Sequence, residues 1–280
     1  MTTPLAPLTP LATPPATSPD EPPARFLDLI ASEWIKTRSL RSTPWALALI
    51  TLFVIGSAAV ATLADKAAGS EPADFLAYDA YPATGYMTLT LVAGSMGALT
   101  VVNEYGSGLI RTTTVAVPDR GAVVLAKAVV TAALWTTVGT AASLGSFLVS
   151  QAVLQRHDAG VALTHPDVLR PLLASALLAP VCALVGLGFG VLLRHTAGTV
   201  LTSVFTLLML PTMFSESNRW SADVRHAMVS AAWTRLVRIG EPGPGSLGYT
   251  ATLPGSWIVY ALWPLATLAL AVAAVRHRDV

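Results

Sequence analysis

Three stretches of the chain place chemically active side chains close together. The densest is VVNEYGSGLIRTTTVAVPDRGAVVLAK, residues 101–127, where Glu104, Arg111, Asp119, Arg120 and Lys127 gather among Gly106, Gly108 and Pro118. Charge pairing of Glu104 with Arg111 at a lipid headgroup boundary would hold the shape of such a segment and present it to another protein. A second group, His157, Asp158, His165 and Asp167, has metal-ligand types. Solvated polar residues of a loop explain it more simply, and no metal site is expected. The third, GLGFG at 186–190, looks like part of a phosphate-cradling loop. Such a loop requires a strand before it and a helix after it, and this stretch lies inside an apolar run. Close helix packing is the better reading, because Gly186 and Gly190 remove side-chain bulk from one helix face. The chain has no GxxxxGK[ST] motif, so no nucleotide or other cofactor is expected to bind it. One cysteine, Cys182, excludes an intramolecular disulfide and reads as a small apolar filler.

The elements that must position these residues follow from composition. The 280 residues are 53% hydrophobic and 12% charged, with a mean hydropathy of +0.61, well above the soluble balance. Crossing a bilayer takes roughly 20 predominantly apolar residues in a helix. Six stretches qualify, near Trp45–Ala64, Gly85–Val102, Ala128–Val149, Pro171–Leu193, Ala197–Met213 and Trp257–Val275. Their interiors lack Asp, Glu, Lys, Arg and His. Proton-coupled transport and intramembrane catalysis need such groups at depth, so a proton-driven carrier, a protease and a metalloenzyme are disfavoured, and the chain is not expected to be an enzyme. A net charge of +1 without a basic cluster gives no footing for nucleic acid.

Residues 1–23 contain eight prolines and few large apolar side chains, which predicts a disordered tail. Over residues 24–43 a helix is expected to lie in the membrane interface, with Phe26, Leu27, Ile30 and Trp34 on one side and Arg25, Asp28, Ser32 and Lys36 on the other. Lys36, Arg38 and Arg41 would face anionic lipid. Residues 44–280 then form the six-span domain, with a loop at 103–127 and a segment at 214–256 too long for a plain connection. In that segment Val224, Met228, Ala232, Leu236 and Ile239 recur at helical spacing, with Trp233 nearby and Gly240 closing the run. One amphipathic helix is predicted there, partly dipping into the membrane.

Basic residues set the orientation. With the N-terminus inside, the cytoplasmic segments carry Arg25, Lys36, Arg38, Arg41, Arg111, Arg120, Lys127, Arg194, Arg276 and Arg278. The outer segments carry Lys66, Arg156 and Arg170, and then Arg219, Arg225, Arg235 and Arg238 in the segment before the last span. The first flanks dominate orientation, so both termini are expected in the cytoplasm and the 103–127 loop with them.

The order of these parts resembles the permease subunit of a type 2 ATP-binding-cassette (ABC) exporter. ASEWIKTRS before the first span, and NEYGSGLIRTTTVAVPDR followed by AK before the third, are similar to that family's most recognisable segments. The resemblance implies an all-α plasma-membrane protein with six transmembrane helices, an N-terminal interfacial helix and an external helical segment before the last span. It further implies that the 103–127 loop docks into a separate ABC ATPase, which would bind ATP and Mg, and that a second copy of the chain or a related permease completes the transporter. On that pattern Glu104, Tyr105, Gly108, Arg111, Pro118 and Arg120 carry over as coupling residues; Asp119, an acid between the Pro and the Arg, departs from it. A cargo of amphipathic or lipophilic character would suit spans lined by Ser, Thr, Gly and aliphatic side chains. The alternative class is a membrane scaffold or sensor without transport activity.

Overall fold

A computed structural model describes residues 25–39, 41–67, 80–109, 119–156, 160–238 and 249–277. The proline-rich tail expected at 1–23 lies outside the described residues. Among those described, all regular structure is helical: α1 Phe26–Ser39, α2 Ser42–Ala67, α3 Ala83–Gly106, α4 Arg120–Gln155, α5 Pro166–Leu193, α6 Thr196–Val204, α7 Arg219–His226, α8 Val229–Val237 and α9 Leu253–His277. Six segments are long and apolar enough to cross a membrane: α2, α3, α4, α5, the stretch Thr196–Met213, and α9. They coincide with the six apolar stretches of the sequence.

α4 begins at Arg120, rather than at the Ala128 where its apolar run starts. Its 36 residues rise about 54 Å, against a hydrocarbon core of about 30 Å, so the helix is longer than the apolar slab it can cross. The fifth span is irregular for an identifiable reason. Pro211 cannot continue an α-helix without clashing with the preceding turn, and α6 passes through a π turn at Phe205–Met209 and a 3₁₀ turn at Leu210–Met213.

Glycine and proline set the closest helix crossings. A Cβ on Gly186 of α5 would lie 1.9 Å from the carbonyl oxygen of Gly94 on α3, and one on Gly97 of α3 would lie 2.0 Å from that of Ala183. Gly190 approaches Ala98 in the same seam. Backbones at this distance are what small residues permit in a membrane, where dispersion replaces the hydrophobic effect between helices. On the other side of α5, Pro180 removes the N–H that would bond the carbonyl of Ala176, and Gly139 of α4 meets that freed oxygen, a Cβ there falling 2.1 Å from it. The crossing of α4 and α5 is therefore built around a carbonyl released by proline.

α5 is the central helix of the bundle, its apolar window mostly buried; α2 is peripheral, leaving Trp45, Leu49, Leu52 and Phe53 exposed. α1 lies against the start of α4 and the end of α3, through ion pairs described below. At the opposite end, α7 and α8 replace the single amphipathic helix expected over 221–239. The chain breaks at Ala227 and Met228, the latter extended and buried. The break frees the carbonyl of Ala227, which accepts the indole N–H of Trp263 from α9 at 2.6 Å. Ile239 and Gly240 lie outside the described residues. α8 is pinned by Arg170 of α5, whose guanidinium donates to the carbonyls of Leu236 (3.1 Å) and Arg238 (2.7 Å) where no further helical turn can use them, and by Arg235, which donates to Ala251.

Candidate functional site

At the α1 end of the bundle, Glu33, Lys36, Glu104 and Lys127 meet in a closed ring. Lys127 of α4 donates to Glu33 of α1 and, at 2.9 Å, to Glu104 of α3. Lys36 of α1 completes the ring by donating to Glu33 at 2.7 Å and to Glu104 at 3.2 Å. Each carboxylate touches both ammonium groups, so the two negative and two positive charges sum to zero. Glu33, Glu104 and Lys127 are 5%, 7% and 6% exposed. Ions buried to that degree require neutralising partners with near-ideal geometry, because the effective desolvation cost is several kcal/mol per ion.

Local structure explains how the four arrive there. Leu29, Glu33 and Lys36 follow each other at helical spacing along the face of α1 that packs on the bundle, while Phe26, Leu27 and Trp34 stay exposed on another side. Glu104 sits in the last turn of α3, and Lys127 lies two turns into α4, roughly 10 Å along its axis from Arg120. Burial would raise the Glu33 carboxyl, but Lys127 and Lys36 outweigh it and hold the group below its ordinary value of 4.5. Burial would likewise depress the Lys36 amine, but its bond to Glu33 and the Glu104 charge raise it above 10.5.

Of the other residues that the resemblance marks for coupling, Tyr105, Gly108 and Arg120 are described. Tyr105 is half-buried, and the Arg194 guanidinium lies 5.2 Å from its ring centroid, a cation–π distance. Arg194 forms the sharp turn between α5 and α6 in the left-handed region, φ 55°, and its N–H closes α5 on the carbonyl of Gly190. Gly108 follows α3 at φ +73°, where a side chain would have space but a strained backbone. Asp119 accepts a hydrogen bond from the N–H of Ala122 and is the N-cap of α4. Its departure from the family pattern thus has a local cause, since an acid caps a helix start and favours its dipole. Arg120 opens that helix. Arg276, in the last turn of α9, packs so close to Gly121 that a Cβ there would lie 3.1 Å from its Nε. Arg111 and Pro118 fall in 110–118, outside the described residues.

Sequence reasoning missed Glu33 as a site residue and counted Lys127 only as a basic flank. The legible signal was an acid on the face of α1 between its apolar side and its basic side, which a purely interfacial helix does not need. The partnership of Glu33 with residues in α3 and α4 is a tertiary matter. Of the metal-ligand types, His165 caps α5 by accepting from the N–H of Asp167 at 3.4 Å, while His157 and Asp158 lie outside the described residues. Among the described residues no group of three His, Cys, Asp or Glu is placed to hold a metal.

Six membrane-crossing helices, an added helix clamped by ion pairs to the ends of the second and third spans, and α7 and α8 covering the other end define a polytopic membrane protein with a docked terminal helix. The family model described as "ABC-2 family transporter protein" matches residues 29–210, well over half of the chain, which therefore belongs to that family and is a permease of an ABC transporter. No curated protein matches it.

Proposed function

We propose that the chain is the membrane subunit of an ABC exporter of the plasma membrane, driven by ATP hydrolysed with Mg on a separate ATPase subunit, and that the α1 end faces the cytoplasm. The observation that carries this reading is the ring of Glu33, Lys36, Glu104 and Lys127, which ties α1 to both helix ends flanking residues 110–118. A push on that segment by a closing ATPase dimer would reach α3, α4 and α1 together rather than dissipate in a slack loop. Tyr105, Gly108, Arg111, Pro118 and Arg120 would form or shape the contact, and the exposed Phe26 and Trp34, with Ile30, would anchor α1 in the lipid interface. Coupling in this sense is a free energy by which the ATPase state and the span arrangement favour one another. A second copy or a related permease would complete the pathway for an amphipathic or lipophilic cargo.

Co-expression with the partner ATPase and reconstitution in lipid nanodiscs tests it. Arg111→Ala, which leaves Glu33, Lys36, Glu104 and Lys127 in place, is expected to abolish cargo-stimulated ATP hydrolysis while the permease stays folded. Unchanged complex formation and unchanged stimulation in Arg111→Ala and Tyr105→Ala would overturn the coupling role.

A further inference from the structure

Among the described residues Arg194 is the one non-glycine residue with a positive φ, 55°. Glycine or asparagine suits that conformation, and an arginine there carries backbone strain that some other contact must offset. That contact lies on another helix: the guanidinium sits over the ring of Tyr105 in the last turn of α3, 5.2 Å from the centroid. Tyr105 directly follows Glu104 of the ion-pair ring, so the ring and this stack grip α3 one residue apart. Tyr105 also packs against a small apolar cluster, with Val101, Leu187, Val191 and Val275 among its members, that is separate from the main core.

The turn passes that grip on without slack. Only Arg194 and His195 separate α5 from α6. The Arg194 N–H ends α5 on the carbonyl of Gly190; His195 starts α6, its ring accepting the N–H of Gly198 at 3.1 Å and its carbonyl accepting the hydroxyl of Thr199 at 2.8 Å. The buried hydroxyls of α6, on Thr199 and Ser203, both bond to carbonyls of their own helix, so the seam of α6 with α3 is packed without directional bonds from them. Beyond it the fifth span passes through the π turn Phe205–Met209 and the 3₁₀ turn Leu210–Met213, where the helical ladder changes register and can yield. The ion-pair ring ties α1, α3 and α4 and has no member on α5 or α6. We propose that Arg194 is a positioning residue: stacked on Tyr105, it makes the α5–α6 turn, and the fifth span behind it, follow the end of α3. This role rests on the reading that the segment between α3 and α4 receives the ATPase.

Hydrogen exchange of the permease–ATPase complex in nanodiscs, with and without Mg and a non-hydrolysable ATP analogue, tests it. In the parent complex the nucleotide is expected to change exchange several-fold both at the end of α3 and at amides 195–199. Arg194→Gly and Arg194→Asn suit the left-handed turn but cannot reach Tyr105, so the melting temperature should stay within about 3 °C of the parent. In both variants the nucleotide response at 195–199 is expected to vanish while that at the end of α3 persists. A residue that served the turn alone would be replaced without that loss. A parent-like response at 195–199 in either variant overturns the proposal, as does a parent whose α3 end responds without 195–199. A melting temperature that falls well beyond that margin in both variants assigns Arg194 a structural role only and overturns it too. A parent in which the nucleotide changes neither site overturns the coupling reading itself, and this inference with it.

Discussion

At the α1 end, two carboxylates and two ammonium groups come together with every charge paired, whereas at the α8 end the buried polar groups are neutral, the hydroxyls of Tyr81, Tyr86, Ser146 and Ser175 among them. The difference follows from what each kind of group costs. An isolated ion in a low-dielectric interior is too expensive to leave to chance, so protein partners must supply the opposite charge. A neutral hydroxyl costs far less to bury, and neighbouring serines can serve it. The charged end is thereby made rigid by directional bonds among three helices. The neutral end is held differently, by arginine and tryptophan donors that reach the free carbonyls around α7 and α8.

The comparison breaks most severely if the ring loses one member. Lys127→Met leaves two buried carboxylates facing Lys36 alone and is expected to destabilise by about 3–5 kcal/mol, seen as a fall in melting temperature and loss of folded yield in detergent. The double variant Glu33→Gln with Lys127→Met restores neutrality with the Lys36–Glu104 pair, so a double-mutant cycle should show strong positive coupling. Costs that simply add would show that the ring does not act as a unit.

Gly139→Ala tests the crossing of α4 and α5 midway between the two ends. Its Cβ would fall 2.1 Å from the carbonyl of Ala176, forcing the helices apart at an expected cost of about 1–3 kcal/mol by thermal unfolding.

Acidity sharpens the contrast between the ends. The Glu33 carboxyl is held below 4.5 in the fold, so its stabilising contribution is fully present above that pH and is lost as pH falls through its folded value. The Lys36 amine is held above 10.5, so its contribution is present below that pH and is lost as pH rises through its folded value. Hydrogen exchange of the α1 amides should therefore stay constant between pH 4.5 and 10.5, once corrected for intrinsic rates, and accelerate selectively below that window. Among the described residues the buried carboxylates are Glu33 and Glu104, both at the α1 end, so the α8 amides near Trp233 should not respond in step. Acceleration of both regions together would contradict the separation of the two ends.

The smallest effect belongs to Asp119. Replacing this N-cap by Ala should cost about 1 kcal/mol, and Asp119→Ser should recover most of it. That recovery distinguishes capping from a charge that docks a partner.

The six spans and the helix before them were legible in the chain itself, because apolar runs of membrane length and amphipathic spacing are local properties. The amphipathic pattern of α1 was equally local. What it could not show is that Glu33 reaches Lys127, since a helical wheel orders the faces of one helix and says nothing of its neighbours. The break between α7 and α8 was hidden for a related reason: their apolar spacing is continuous, and the freed Ala227 carbonyl is used by Trp263 from a distant helix. Gly186 and Gly190 announced close packing, but Gly139 became meaningful only when Pro180 placed an unbonded carbonyl opposite it. Sequence thus determined which segments enter the membrane, because hydropathy acts residue by residue. Tertiary structure alone decided which buried polar groups find partners, because pairing depends on where helices far apart in the chain bring their side chains.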